Sequence, residues 1–121
     1  MLKSFYPVIL SNDVEKTGGF FKNYFDFKET FVSDWYISLK HDNNFEIAVI
    51  DKEHETIPKG FRYQSKGIIL NFEVADVDKI YEKISREDNI NIMLEIKDEE
   101  WGQRHFIFEG PDNIMIDVIQ V

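Results

Sequence analysis

"FEVADVDKIYEKI" (72–84) reads as a strand running straight into a helix, and its position in the chain decides the fold. The apolar run "GIILNFEV" (67–74) leads to Asp76, and beyond it Val77, Ile80, Tyr81 and Ile84 recur at i, i+3, i+4 and i+7. That is the stripe of an amphipathic helix with Asp76 as N-cap. The same order occurs earlier. "FYPVIL" (5–10) runs into "NDVEK" (12–16), which echoes "ADVDK" (75–79) from 63 residues away, about half the chain. Here Val14, Phe21, Tyr24 and Phe25 make a rougher stripe, broken by Gly18 and Gly19, and Asn12 and Glu15 have capping-box spacing.

Three strand-like runs follow each helix. In the first half they are "FKETFV" (27–32), "WYISLK" (35–40) and "FEIAVI" (45–50), with "HDNN" (41–44) as turn; in the second, "INIMLEI" (90–96), "RHFIFE" (104–109) and "IMIDVIQ" (114–120), with "GPDN" as turn. The expected class is therefore α+β, with two βαβββ modules forming a curved, cup-like mixed sheet and helices on its outer face. Module one covers about 4–51 and module two about 67–121. The polar stretch 52–66, holding Pro58 and Gly60, reads as a linker or lid.

Composition narrows the function. At 121 residues the chain fits one domain with a sizeable core, and without cysteine it has no disulfides, no thiolate metal site and no thiol nucleophile. A net charge of −9 disfavours nucleic acid. No apolar run reaches the roughly 20 residues of a membrane span or resembles a signal peptide, so the expected location is the cytoplasm. Eleven Phe and two Trp suit a dense core or an aromatic-lined pocket.

Alternation assigns the faces. Phe106, Phe108, Ile114, Ile116 and Val118 form a wholly apolar set that should meet the helices, leaving His105, Ile107, Glu109, Met115, Asp117 and Ile119 on the other side. Phe45, Ile47 and Val49 are the matching core set of module one. If the turn pairs Lys40 with Phe45, Trp35, Ile37 and Leu39 share the face of Glu46, and Glu46 and Asp117 hold comparable positions in the two modules, both pointing into the cup.

"PVILSNDVEKTGGFFKNYFDFK", "FEVADVDKIYEKI" and above all "EEWGQRHFIFEGPDNIMIDVI" resemble the vicinal oxygen chelate superfamily, which includes glyoxalase I, extradiol dioxygenases, fosfomycin-resistance thiol transferases and bleomycin-resistance proteins. Its final hairpin usually reads D-P-D-G-N-x-x-E; here Gly110 replaces the first Asp and the Gly before Asn113 is missing. The resemblance implies a divalent-metal site in some members. Carried over by position, it puts Tyr6, Glu46, Ile69 and Asp117 at the four ligand places. Isoleucine cannot ligate and a neutral tyrosine is a poor ligand, so two carboxylates survive. No metal or other cofactor is expected.

The leading reading is a metal-independent small-molecule binding protein of the bleomycin-resistance type, sequestering a cationic or aromatic antibiotic or metabolite, with Tyr6, Trp35, Glu46, Trp101, His105 and Asp117 lining an acidic, aromatic cup. Trp35 and Trp101 suit cation–π stacking. His105 beside Asp117 has the form of an acid–base dyad, although a structural hydrogen-bonded histidine fits as well. Charges in "KDEE" (97–100) read as solvated, and Arg104 as paired with surface acids. The alternatives are a divergent lyase, isomerase or dioxygenase holding a divalent metal through Glu46, Asp117 and His105, and a structural or regulatory dimer whose cup is filled by its own side chains. A homodimer is expected because half-sheets leave edges that want covering.

Overall fold

The computed structural model describes all 121 residues. The chain divides into two compact units, Met1–Ser65 and Lys66–Val121. Unit 1 holds β1 (Val8–Ser11), α1 (Val14–Phe25), β2 (Lys28–Val32), β3 (Tyr36–Lys40) and β4 (Glu46–Asp51); unit 2 holds β5 (Ile69–Val74), α2 (Val77–Ser85), β6 (Asn91–Asp98), β7 (Arg104–Glu109) and β8 (Met115–Gln120). The doubled βαβββ plan is present. Its strands make two separate four-stranded mixed sheets, ordered β1-β4-β3-β2 and β5-β8-β7-β6. Each first strand pairs in parallel with its unit's last, and the remaining pairs are antiparallel.

Each helix packs on one face of its own sheet. In unit 1, Val14, Phe20, Phe21 and Phe25 bury against Ile37, Leu39, Ile47 and Val49, with Phe20 and Phe21 edge to face at 5.2 Å. Thr17 and Gly18 are themselves buried and complete the stripe. The cap is Asp13, whose carboxylate accepts the Lys16 N–H at 3.1 Å; Asn12 lies one residue outside, so the expected Asn12–Glu15 capping box does not form. Buried Ser11 joins the strand to the helix, its Oγ accepting from the Asp13 N–H at 2.9 Å and lying 3.1 Å from Thr17 Oγ1. In unit 2 the predicted cap is present, with Asp76 accepting from Lys79 N at 3.2 Å. Val77, Ile84, Phe106, Phe108, Ile114, Ile116 and Val118 are buried, as the alternation required.

Three local readings change. The first strand begins at Val8 rather than at residue 5, because Pro7 has no N–H to give a ladder and only its carbonyl pairs, accepting from Ala48 N at 3.0 Å. Tyr6 therefore precedes the strand. The turn after β3 has three residues, not four: His41 N donates to Phe45 O at 2.8 Å, Asn44 takes a left-handed conformation (φ 70°), and Lys40 faces Glu46. That one-residue difference exchanges the faces of β3, so Ile37 and Leu39 are core and Tyr36, Ser38 and Lys40 accompany Glu46. Phe45, expected in the core, is 61% exposed.

The "GPDN" turn explains its own departure from the resembled pattern. Gly110 N donates to Ile114 O at 2.7 Å, with Asp112 and Asn113 both left-handed. A Cβ on Gly110 would lie 2.8 Å from Ile116 Cδ1 and 3.3 Å from Ile114 O. Ile116 is fully buried and cannot move aside freely. Gly110→Ala should therefore cost about 1–3 kcal/mol by overpacking. Gly19→Ala, inside α1 with nothing within 4 Å of the new methyl, should gain about 0.4–1 kcal/mol. Denaturant midpoints of the two variants, moving in opposite directions, check both.

Candidate functional site

The sheet face opposite α2 is built from three cross-strand rows. Glu73, Ile119, His105 and Lys97 form one; Asn71, Asp117, Ile107 and Leu94 the next; Ile69, Met115, Glu109 and Asn91 the last. In the middle row Asp117 sits between Asn71 and Ile107 and is 8% exposed, which for an unpartnered carboxylate would be costly. It has a partner. His105 Nδ1 donates to Asp117 Oδ1 at 2.8 Å, and His105, 6% exposed, donates through Nε2 to Glu99 Oε2 at 2.8 Å. Lys97 Nζ lies 3.1 Å from the other Glu99 oxygen, so a chain of alternating charge runs outward from the sheet.

Glu99 reaches the ring because β6 and β7 are joined by a three-residue turn, in which Glu99 N donates to Gln103 O at 2.7 Å and Gly102 is left-handed (φ 95°). This corrects the reading of "KDEE" as solvated charge. The sequence signal was the glycine of "EEWGQR": it marks a turn that places Glu99 opposite Gln103 and hence near His105. Trp101, at the tip of that turn, is 68% exposed with its indole N–H on Gln103 Oε1 at 2.8 Å. Arg104 points elsewhere and bonds Asp78 and Asp98, the surface pairing expected of it.

The surroundings favour the protonated ring. Burial opposes that charge, but the hydrogen bonds to Glu99 and Asp117 outweigh it and hold the His105 pKa above its ordinary 6.5. The His105 hydrogen bond likewise holds Glu99 below its ordinary 4.5, with Lys97 adding to the effect. With both nitrogens donating, the imidazolium has no lone pair to serve as a base or to ligate a metal.

In unit 1 the face opposite α1 carries Val8, Ala48, Ser38 and Phe31 in one row and Leu10, Ile50 and Tyr36 in another, with Glu46 facing Lys40. Tyr6 and Ser38 interact with the Tyr36 hydroxyl, whose pKa burial raises above 10.0 while the Ser38 hydrogen bond opposes the rise. Tyr36 and Ser38 are site-face residues that the misplaced register concealed. Trp35 does not share this face with Glu46; its ring stacks flat on His54, centroids 3.7 Å apart at 11°. Nor is Glu46 the counterpart of Asp117. Val8 and Asn71 each stand five residues before their helix caps, and they pair with Ala48 and Asp117 respectively. The counterpart is Ala48, and Glu46 corresponds to Met115.

This arrangement does not fit the divalent ion implied by the resemblance. Ile69 and Ala48 offer no donor, Tyr6 precedes its strand with its hydroxyl engaged by Tyr36, and His105 has both nitrogens committed. No group of three or more histidine or carboxylate side chains is arranged to hold an ion. The cleft of about 460 Å³ in unit 1, lined by Asp13, Glu15, Lys22, Glu29, Asp34 and Ile37 among others, opens beside α1, away from the face that carries Glu46. No helix is long and apolar enough to cross a membrane.

The charge cluster sets a pH window. A raised histidine pKa contributes stability that is complete below about 6.5 and lost as pH rises through the folded value; a lowered Glu99 pKa contributes above about 4.5 and is lost as pH falls through its folded value. Both operate fully between those limits. The stability gap between the native chain and His105→Gln should be widest near pH 5.5 and narrow by pH 9, as read from urea midpoints at each pH.

Residues 4–121 match the family model of the glyoxalase-like domain. No curated protein matches the sequence. Among solved structures, a glyoxalase/bleomycin resistance protein/dioxygenase family enzyme from Burkholderia phytofirmans PsJN is similar at 18% identity and TM-score 0.80, covering 96% of each chain. A superfamily member from Sphaerobacter thermophilus is 18% identical with TM-score 0.76, covering 100% of this chain and 98% of its own. A protein of unknown function from Agrobacterium tumefaciens is 23% identical with TM-score 0.74, covering 100% and 95%. At these identities the likeness is one of fold. Two βαβββ units in tandem and a family match over nearly the whole length give one conclusion: the chain belongs to the glyoxalase-like domain family of the vicinal oxygen chelate superfamily.

Proposed function

We propose that this protein binds a small cationic or aromatic molecule without a metal, on the helix-free faces of its sheets, and sequesters it rather than transforming it. The observation that carries the reading is the distribution of carboxylates on the face of unit 2. Asp117 and Glu99 are consumed by His105, whereas Glu73 and Glu109 have no ion-pair partner and stand beside Ile119 and Met115 respectively. Unpaired carboxylates on a partly apolar face suit a ligand with a positive charge and a hydrophobic body. Trp101 offers an exposed ring in the same unit, and Tyr6, Tyr36, Ser38 and Glu46 offer hydrogen-bonding groups in unit 1. Asp117 and His105 support this face from within, while Trp35 contributes through its stack with His54. The committed nitrogens of His105 count against catalysis, because the one buried imidazole is not poised to accept a proton.

A thermal-shift screen of cationic aromatic compounds should yield a saturable stabiliser, since whatever binds the native state raises its apparent stability. Glu73→Gln and Glu109→Gln should each weaken that compound by about 1–3 kcal/mol, the worth of a charge-assisted contact, with little change in the unliganded melting temperature. Stabilisation by divalent metals alone, with none by cationic aromatics, would overturn the proposal. A homodimer belongs to the same reading, because Phe31 and Val32 on β2 are 54% and 52% exposed. Sedimentation at micromolar concentration should give twice the 14.4 kDa chain mass.

A further inference from the structure

We infer that the chain carries its own internal cation where the resemblance implies a metal: the His105 ring, gripped by Asp117 and Glu99, is the fixed positive charge that neutralises the carboxylate of the last strand. The inference rests on the metal-independent reading above and explains how Asp117 is kept without an ion.

The geometry carries it. Asp117 holds the last-strand position, is buried, and meets a nitrogen of His105 at 2.8 Å. The opposite nitrogen meets Glu99 at the same distance, and Glu99 comes from the β6–β7 turn, which contributes none of the four implied ligand places. A neutral ring has one N–H and could donate to only one of these carboxylates. With both carboxyls ionised, the two together require a proton on each nitrogen. The charged neighbours are consistent with this: β8 presents Asp117, β6 presents Lys97 bonded to Glu99, β5 presents Glu73 across Ile119, and the turn adds Glu99 and Glu100. Four of these five groups are acidic, and the one cation is tied to Glu99. A divalent ion at Asp117 would face the imidazolium at close range, and to bind it would have to displace a ring proton and break the bond to Asp117 or Glu99. Glu99 is a positioning residue in this scheme, because it completes the counter-charge of the ring and ties the turn bearing Trp101 to the sheet.

The test is ring-nitrogen NMR of the full chain at pH 7, with His41→Gln and His54→Gln used to assign the His105 signals. The expected result is a proton on both His105 nitrogens, unchanged by a tenfold excess of zinc, nickel or manganese chloride. A neutral His105 with no metal bound would overturn the inference and leave the binding reading standing. Loss of a ring proton on tight uptake of about one equivalent of metal would overturn both. As a second measurement, Glu99→Gln, His105→Gln and the double variant should form a non-additive set, the double variant losing no more melting temperature than the worse single one; additive losses would also overturn the inference.

Discussion

Everything in each unit follows from the parallel pairing of its first strand with its last. Parallel neighbours cannot be joined by a tight hairpin, so the chain must cross over, and it does so through a helix and two further strands before returning. The helix covers one face of the sheet and leaves the other open to chemistry. The parallel ladder then fixes which residue stands beside which: Ala48 N on Pro7 O starts it in unit 1, and Val121 N on Val74 O closes it in unit 2. Two sequences with the same plan consequently present different faces, with an alanine next to Val8 and an aspartate next to Asn71.

The plan was legible because its signals are local. Asp76 with a heptad of apolar spacing announces α2, and strict alternation over residues 104–120 sorts that hairpin into a buried set and a mixed set without error. The faces of β3 were not legible, because "HDNN" is equally good chemistry for a loop of three or four residues, and the parity of the loop rather than its composition decides which side chains turn inward. The false equivalence of Glu46 and Asp117 has the same origin: both are acids on last strands, and only the ladder shows that they are two residues out of step. Glu99 was missed for a further reason. Its partner lies across a turn, and a charge in a polar run carries no mark of being folded back onto a strand.

Adjacent residues of β7 show how much burial changes the worth of a charge. Arg104 bonds Asp78 and Asp98, yet its side chain is 31% exposed and theirs 56% and 74%, so water competes for every contact and the net gain is small. His105, one residue on and on the other face, is shielded, and so is its bond to Asp117. Removing His105 strands Asp117 as an uncompensated buried charge, at a cost of about 3–5 kcal/mol, whereas removing Asp117 leaves the ring its bond to Glu99. A cluster of this kind is conspicuous less for what it adds than for what its loss would leave behind.

Two of the edge strands, β2 and β6, have a property of their own. β2 shifts register between Glu29 and Phe31, and β6 shifts twice, between Ile92 and Leu94 and between Leu94 and Lys97. Each shift interrupts the straight row of free amide and carbonyl groups that an edge would otherwise hold out to a passing chain. Phe31, Val32 and Met93 are exposed on these strands, an apolar combination that would be a hazard on a flat edge. The kinks deny it a template, so that an incoming extended segment finds only a few bonds in step before the pattern breaks, and growth into a fibril has no regular seed.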